Sequence, residues 1–277
     1  MKFSVPKGLW QRFRRGMPVL SFVVAWLILA GLWELGAHTE TLNPRILPPP
    51  SVVIPYLLQG PGSAGIGPQQ VSYGEAIGRT LMRVMAGLGL GVGAAIPLGM
   101  LIEGIPILRR FVLPMIQTLA PIAPVAWVPV GIALMGTGDQ SAIFVVFMGV
   151  FSILTLATVS ALSSLPPELL KAAKSLGIRG WKLRLWVMLP ATAASLMTSV
   201  RLNFFAAWMA VLAGEMAGIN SGLGALIILG QQQFNMRLVM VGIMTIGVIG
   251  FLVDRVMLAL QRQVIWWERR ERGGSHG

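Results

Sequence analysis

The chain has 277 residues, 55% of them hydrophobic and 12% charged, with a net charge of +12 and a mean hydropathy of +0.74. Soluble domains usually carry about 25% charged residues, so this chain has too little polar surface to dissolve alone. It has no cysteine, which excludes disulfides and thiolate metal sites, and His38 and His276 are too far apart in the sequence to suggest a metal centre.

Residues 18–37, 81–102, 139–161, 191–213 and 238–260 form apolar runs with few charges. Each has about 20 residues, enough at ~1.5 Å rise to cross the ~30 Å hydrocarbon layer. A sixth run, 111–135, carries Pro114, Pro121, Pro124 and Pro129. The first run has the basic start of a cleaved signal. Trp33 and Glu34 stand where small cleavage-site residues belong, so it reads as a retained span. The expected organisation is a cytoplasmic segment 1–17, a span 18–37 and an outer segment 38–80. A core of five spans follows over 81–265, with a cytoplasmic loop 162–190, and then a tail 266–277.

Charge sets the direction. Lys2, Lys7, Arg12, Arg14 and Arg15 precede the first run, and Arg109 and Arg110 follow the second. Lys171, Lys174, Arg179, Lys182 and Arg184 lie in 162–190, and Arg262, Arg269, Arg270 and Arg272 follow the last run. The alternate loops hold only Arg45, Arg79 and Arg237. Positive residues gather on the cytoplasmic side, so six spans with both ends inside satisfy every loop. The basic excess marks topology and anionic membrane lipid; no nucleic acid is implied. Trp266 and Trp267 fit an interfacial belt.

In the outer segment, Ser51 follows Leu47-Pro48-Pro49-Pro50 and can cap a short helix lying on the membrane surface. The second run holds two small-xxx-small pairs, Gly87–Gly91 and Gly89–Gly93, which allow close helix contact. The phosphate-loop pattern is absent, so if ATP drives this protein another chain binds it. The prolines of 111–135 break backbone hydrogen bonding, which is tolerated where protein or a water-filled cavity covers it. Residues 114–130 read either as pathway lining or as packing kinks.

The loop 162–190 reads as a short helix. Ser164 can cap it, Pro166 and Pro167 suit its first turn, and Glu168 suits its positive end. Leu169, Ala172, Ala173 and Leu176 share one face at helical spacing, and Gly177 can close the helix in a left-handed conformation. A partner could approach the alanines closely.

Arg201 lies ten residues into the fifth span. Such a placement costs roughly 2.5–3.5 kcal/mol on insertion scales and points to a partner or an ion. Arg201, Trp127, Asn203, Trp208 and Glu215 are the candidates for lining an anion pathway. The alternatives are a structural pair for Arg201, packing for Trp208 and a solvated helix end for Glu215. The acids read as scattered over loops and ends. No nucleophile–base set is visible, and no catalysis is expected.

Ala172, Ala173, Gly177, Leu189 and Pro190 resemble the signature loop of permease subunits of binding-protein-dependent ABC importers. Lys171 stands where that signature has Glu. Leu47-Pro48-Pro49-Pro50-Ser51-Val52, the stretch Pro121–Pro129 and Thr198–Leu202 resemble the nitrate/sulfonate/taurine/bicarbonate group of that family. The resemblance covers roughly 20–265. It implies an all-α type I importer permease fold in the bacterial inner membrane, with a small anion as cargo. It implies a second permease copy, two ATPase subunits that bind ATP and Mg, and a periplasmic or lipid-anchored substrate-binding protein. It places Glu168, Lys171, Ala172, Ala173, Leu176 and Gly177 against the ATPase. The rival class is an ATP-independent secondary transporter or channel. The repeated halves and paired intramembrane acids of such carriers are not visible.

Overall fold

The computed structural model describes residues 7–39, 43–58, 72–219 and 221–264, without the side chains of 7–20, 22, 23 and 264. Lys2, the side chains of Lys7, Arg12, Arg14 and Arg15, the Gly/Pro-rich stretch 60–68, and the tail with Trp266 and Trp267 lie outside that description. The chain divides into two units, 1–62 with 230–241 and 63–229 with 242–277. Among the described residues every regular element is helical.

The first unit contains α1 (Lys7–His38) and α2 (Pro50–Leu58). Ser51 does not cap α2; it sits in the first turn. Its backbone N–H donates to Glu34 Oε2 at 3.1 Å and its hydroxyl to Oε1 at 2.7 Å. A carboxylate from α1 thus takes over the capping role. It can accept both bonds at once, and its charge suits the positive helix end.

The remaining helices are α3 (Tyr73–Gly104), α4 (Pro106–Leu119), α5 (Val128–Met135), α6 (Asp139–Ser163), α7 (Pro167–Ser175), α8 (Gly180–Leu183), α9 (Leu189–Met216), α10 (Leu223–Gln232) and α11 (Met236–Val264). In the second unit α3, α6 and α9 share the main core. It is built from Val84 and Leu88, from Val146, Val150 and Leu154, and from Phe204, Ala207 and Trp208. Gly87 and Gly91 let α3 and α6 approach. A Cβ at these positions would lie 2.5 Å from Val146 and 2.8 Å from Val150. Among the described residues Gly89 and Gly93 have nothing against them, and the Gly87–Gly91 pair is the one seen to serve packing.

Among the described residues four stretches are long and apolar enough to cross a membrane: Tyr73–Gly104, Asp139–Ser163, Gly180–Met216 and Met236–Gln263. A fifth crossing is present if α4 and the segment Pro124–Met135, bent by 96°, count as one. The expected first span, 18–37, falls within α1, whose described apolar part, Val24–His38, is shorter than a span. This accounts for the difference from six.

The bend at 120–127 is larger than a kink. Pro124 and Pro129 open the 3₁₀ turn Pro124–Trp127 and α5, at first-turn positions where a missing N–H is harmless. They start new helices. Only Pro114 stands inside α4.

Candidate functional site

Between α6 and the long run Gly180–Met216, α7 stands out from the body as an exposed turn of chain. Its N-cap is Pro166, without a side-chain bond. Ser164 instead turns its hydroxyl back to Ala161 O at 2.8 Å and finishes α6. At the other end Gly177 has φ +81. The Gly177 N–H donates to Lys174 O and the Ile178 N–H to Ala173 O, both at 3.0 Å. That pair of bonds is a Schellman closure, and Ile178 and Ala173 supply its apolar contact in one small core.

The expected apolar face is divided. Ala173 is 6% exposed, packed in a core with Met100, Leu162, Leu183 and Met188. Ala172 is exposed, and Leu176 is 81% exposed. The alanines therefore do not form a common docking face. At 100° per residue, Lys171 and Ser175 lie within about 20° of the point opposite Ala173. The crown of the helix is Lys171, flanked by Glu168, Ala172 and Lys174, all exposed.

Beyond α7 the chain runs through α8 into one turn of π-helix, Arg184–Met188. Pro190 explains it. Proline has no N–H to give and its ring crowds the carbonyl four residues back, so the preceding turn opens. Leu189 N–H accordingly reaches back to Arg184 O. Arg184 also stacks 5.0 Å from the Trp181 ring and donates to Gly104 O at 2.6 Å, the last carbonyl of α3. A Cβ on Gly104 would collide with that guanidinium. The segment after α7 is thus tied both to α9, in line, and to the end of α3. An apolar groove of about 470 Å³ lies alongside, lined by Ile96, Pro97, Met100, Trp181, Leu185 and Leu189.

The proposed pathway residues are not brought together. Arg201 and Glu215 stand on one helix, ~21 Å apart along its axis. Arg201 forms a two-point pair with Asp254 of α11, Nε to Oδ1 at 2.6 Å and Nη2 to Oδ2 at 2.9 Å. Its side chain is 31% exposed and that of Asp254 9%. Trp208 is 4% exposed in the main core beside Phe204. Trp127, at the bend, meets Phe144 edge to face at 6.4 Å. Asn203 is buried; its Nδ2 donates to Ser199 O at 2.9 Å, and its Oδ1 has no hydrogen-bond partner.

Glu215 is not a solvated helix end. It is 2% exposed. It accepts from Thr80 Oγ1 at 2.8 Å, from Gly224 N–H at 2.9 Å and from Arg83 Nη1 at 2.7 Å. Arg83, at 0% exposed, also reaches Asp139 through Nε at 2.7 Å, and Ser221 O and Oγ at 2.7 and 2.5 Å. One guanidinium thus joins the outer ends of α3, α6 and α9 to the turn before α10. Sequence reasoning singled out neither Arg83 nor Asp254. Both were visible as lone charges inside apolar runs, Arg83 near the outer end of 81–102 and Asp254 near the inner end of 238–260. Matching them by depth pairs Arg83 with Glu215 and Asp254 with Arg201. The acids are therefore not confined to loops and ends.

The family described as binding-protein-dependent transport system inner membrane component matches residues 87–266. The chain belongs to this family. It is accordingly a multi-pass inner-membrane transport component. A protein of Methanocaldococcus jannaschii described as an ABC transporter permease is 34% identical over 86% of this chain and 88% of its own length. The taurine transport system permease protein TauC of Escherichia coli is 26% identical over 87% of this chain and 86% of its own. The bicarbonate transport system permease protein CmpB of Synechocystis is 27% identical over 94% and 93%. Both systems fall in the nitrate/sulfonate/taurine/bicarbonate group that the sequence motifs resemble. Among solved structures, a chain of the inward-facing MetNI methionine ABC transporter superposes with a TM-score of 0.61 at 18% identity, over 67% of this chain and 93% of that one. The fold is that of a type I importer permease.

Proposed function

We propose that this permease works in an ATP-driven importer for a small anion of the nitrate, bicarbonate, taurine or alkyl sulfonate class. Its power comes from two partner ATPase subunits, which bind the ATP and Mg. A second copy of the chain completes the pore, and a periplasmic or lipid-anchored binding protein delivers the substrate. The observation that carries this is α7, an exposed helix closed by Gly177 and tied through Arg184 to the end of α3 and through the π-turn to α9. A push on α7 reaches two core helices through the short closure 176–179 and α8.

In this mechanism, ATP closes the ATPase pair and draws the two α7 helices together. The α3 and α9 bundles move with them, and the pathway opens outward to the binding protein. Hydrolysis resets the inward-facing state. No covalent chemistry takes place in this chain. Arg201 serves the pathway as a guanidinium whose charge is balanced by Asp254. Its two-point pair leaves three N–H groups for a passing anion, which favours brief contact over tight binding. Asn203, whose buried Oδ1 has no hydrogen-bond partner, and Trp127, at the bend, are polar and aromatic groups that a rearranged pathway could reach.

The test is uptake and ATP hydrolysis by the chain reconstituted with its co-encoded ATPase and binding protein. Hydrolysis stimulated by loaded binding protein is expected. Ala172→Trp, which blocks close approach, and Gly177→Val, which strains the left-handed closure by about 1–2 kcal/mol, uncouple hydrolysis from uptake. Uptake by this chain alone, driven by an ion gradient, would establish a secondary transporter instead.

A further inference from the structure

The surface around α7 carries more positive charge than helix docking needs. Lys171, Lys174, Arg179 and Lys182 are all exposed, against one exposed acid, Glu168. Among the described residues none of these four cations forms an ion pair. Lys171 takes the crown, opposite buried Ala173, so any concave partner desolvates Lys171 first. An ammonium taken out of water without a counter-charge costs several kcal/mol, and a matched carboxylate removes most of that cost. Leu176, 81% exposed, supplies an apolar knob at the C-terminal end of the helix, about 140° round from Lys171.

We infer that the partner ATPase groove holds a carboxylate facing Lys171, with an acidic rim toward Lys174, Arg179 and Lys182, and that this charge match selects the cognate ATPase. The inference rests on the ATPase-docking role proposed above and adds the chemistry of the partner. The signature position that carries Glu in the family carries Lys here, so the groove of this partner has the opposite charge at that point. An ATPase built for a Glu would set cation against cation, and like charges juxtaposed in an interface are a strong basis for rejecting wrong partners. Glu168 on the crown's other flank meets the one cationic or amide group the groove needs there.

The experiment affinity-purifies the full chain, co-expressed with its co-encoded ATPase and binding protein, and measures how much ATPase is retained at low and high salt. Lys171→Glu weakens retention at least about thirtyfold, as expected for a mismatched desolvated charge. Lys171→Met weakens it less, and Lys182→Ala at the rim mainly steepens dissociation with salt. Replacing the facing carboxylate of the ATPase by Lys restores retention of the Lys171→Glu chain. Since the Lys171 side chain is exposed and forms no ion pair among the described residues, these variants fold; helicity and elution volume in detergent verify it.

If Lys171→Glu keeps its ATPase while Leu176→Asp loses it, the charge match is overturned and the docking role stands. If Lys171→Glu, Leu176→Asp and Ala172→Trp all keep it, the docking role itself falls. If Lys171→Glu keeps its ATPase but loses affinity for anionic phosphatidylglycerol vesicles relative to phosphatidylcholine, the cations serve the lipid surface and the charge match is overturned.

Discussion

Arg83 and Arg201 both lie within apolar helices. Arg83 is 0% exposed and bonds to groups from three other segments. Among the described residues Arg201 bonds to Asp254, and it keeps 31% of its side chain exposed. The first arrangement satisfies a buried charge from every side, and its partners are themselves held. Glu215 also takes bonds from Thr80 and Gly224, and Thr80 takes one from Leu223 N–H at 2.9 Å. The second arrangement satisfies one edge of the guanidinium and leaves the other accessible. A network closed on all sides is suited to holding helix ends in place; a half-open pair is suited to meeting something that passes.

That contrast predicts a ranked set of outcomes. Arg83→Met leaves Glu215 buried without a counter-charge, and loss of one partner of a buried pair costs about 3–5 kcal/mol. Thermal unfolding of the purified chain in detergent should show the largest loss here, and equal stability of this variant would show that the network is not the lock described. Glu215→Gln keeps the shape and the acceptor for Thr80 but removes the charge, a loss of about 1.5–3 kcal/mol, read by the same melt. Arg201→Met is smaller, about 1–3 kcal/mol, because Asp254 loses its partner but the pair is part-exposed, unlike Arg83 and Glu215. Its effect on uptake should exceed its effect on stability. The exchange Arg201→Asp with Asp254→Arg sharpens the point: stability should recover, and uptake should not if the guanidinium meets the anion from α9. Recovery of both would make the pair purely structural. Asn203→Leu removes an orphaned Oδ1 along with one backbone bond, so stability should change by less than about 1 kcal/mol. Slower uptake in that variant would set Asn203 on the route.

The sequence made some of these features legible and hid others for physical reasons. Helix ends were readable where one residue decides them, as Gly177 does by its positive φ. They were misread where a distant group takes the part. Ser51 looked like its own cap, but Glu34 reaches α2, and Ser164 finished α6 instead of starting α7. Helical spacing placed Leu169, Ala172, Ala173 and Leu176 on one side, and it could not say how the body would cut that side. Ile178 and the Schellman contact draw Ala173 inward and leave Leu176 out. The prolines of 111–135 signalled a break, but whether a break is a kink or a 96° turn depends on the core it folds around.

What the sequence determined by itself was local and additive. Apolar length marked the spans of the core, charge asymmetry gave their expected direction, and the Ala172–Gly177–Pro190 spacing pointed to the family. Each of these depends on residues close together in the chain. What only the tertiary structure decided was pairing across long separations. Arg83 meets Glu215 132 positions away and Arg201 meets Asp254 53 away. Such bonds follow from which helices pack and at what depth. A low-dielectric interior makes those matches compulsory, because an unmatched charge there is far costlier than in water.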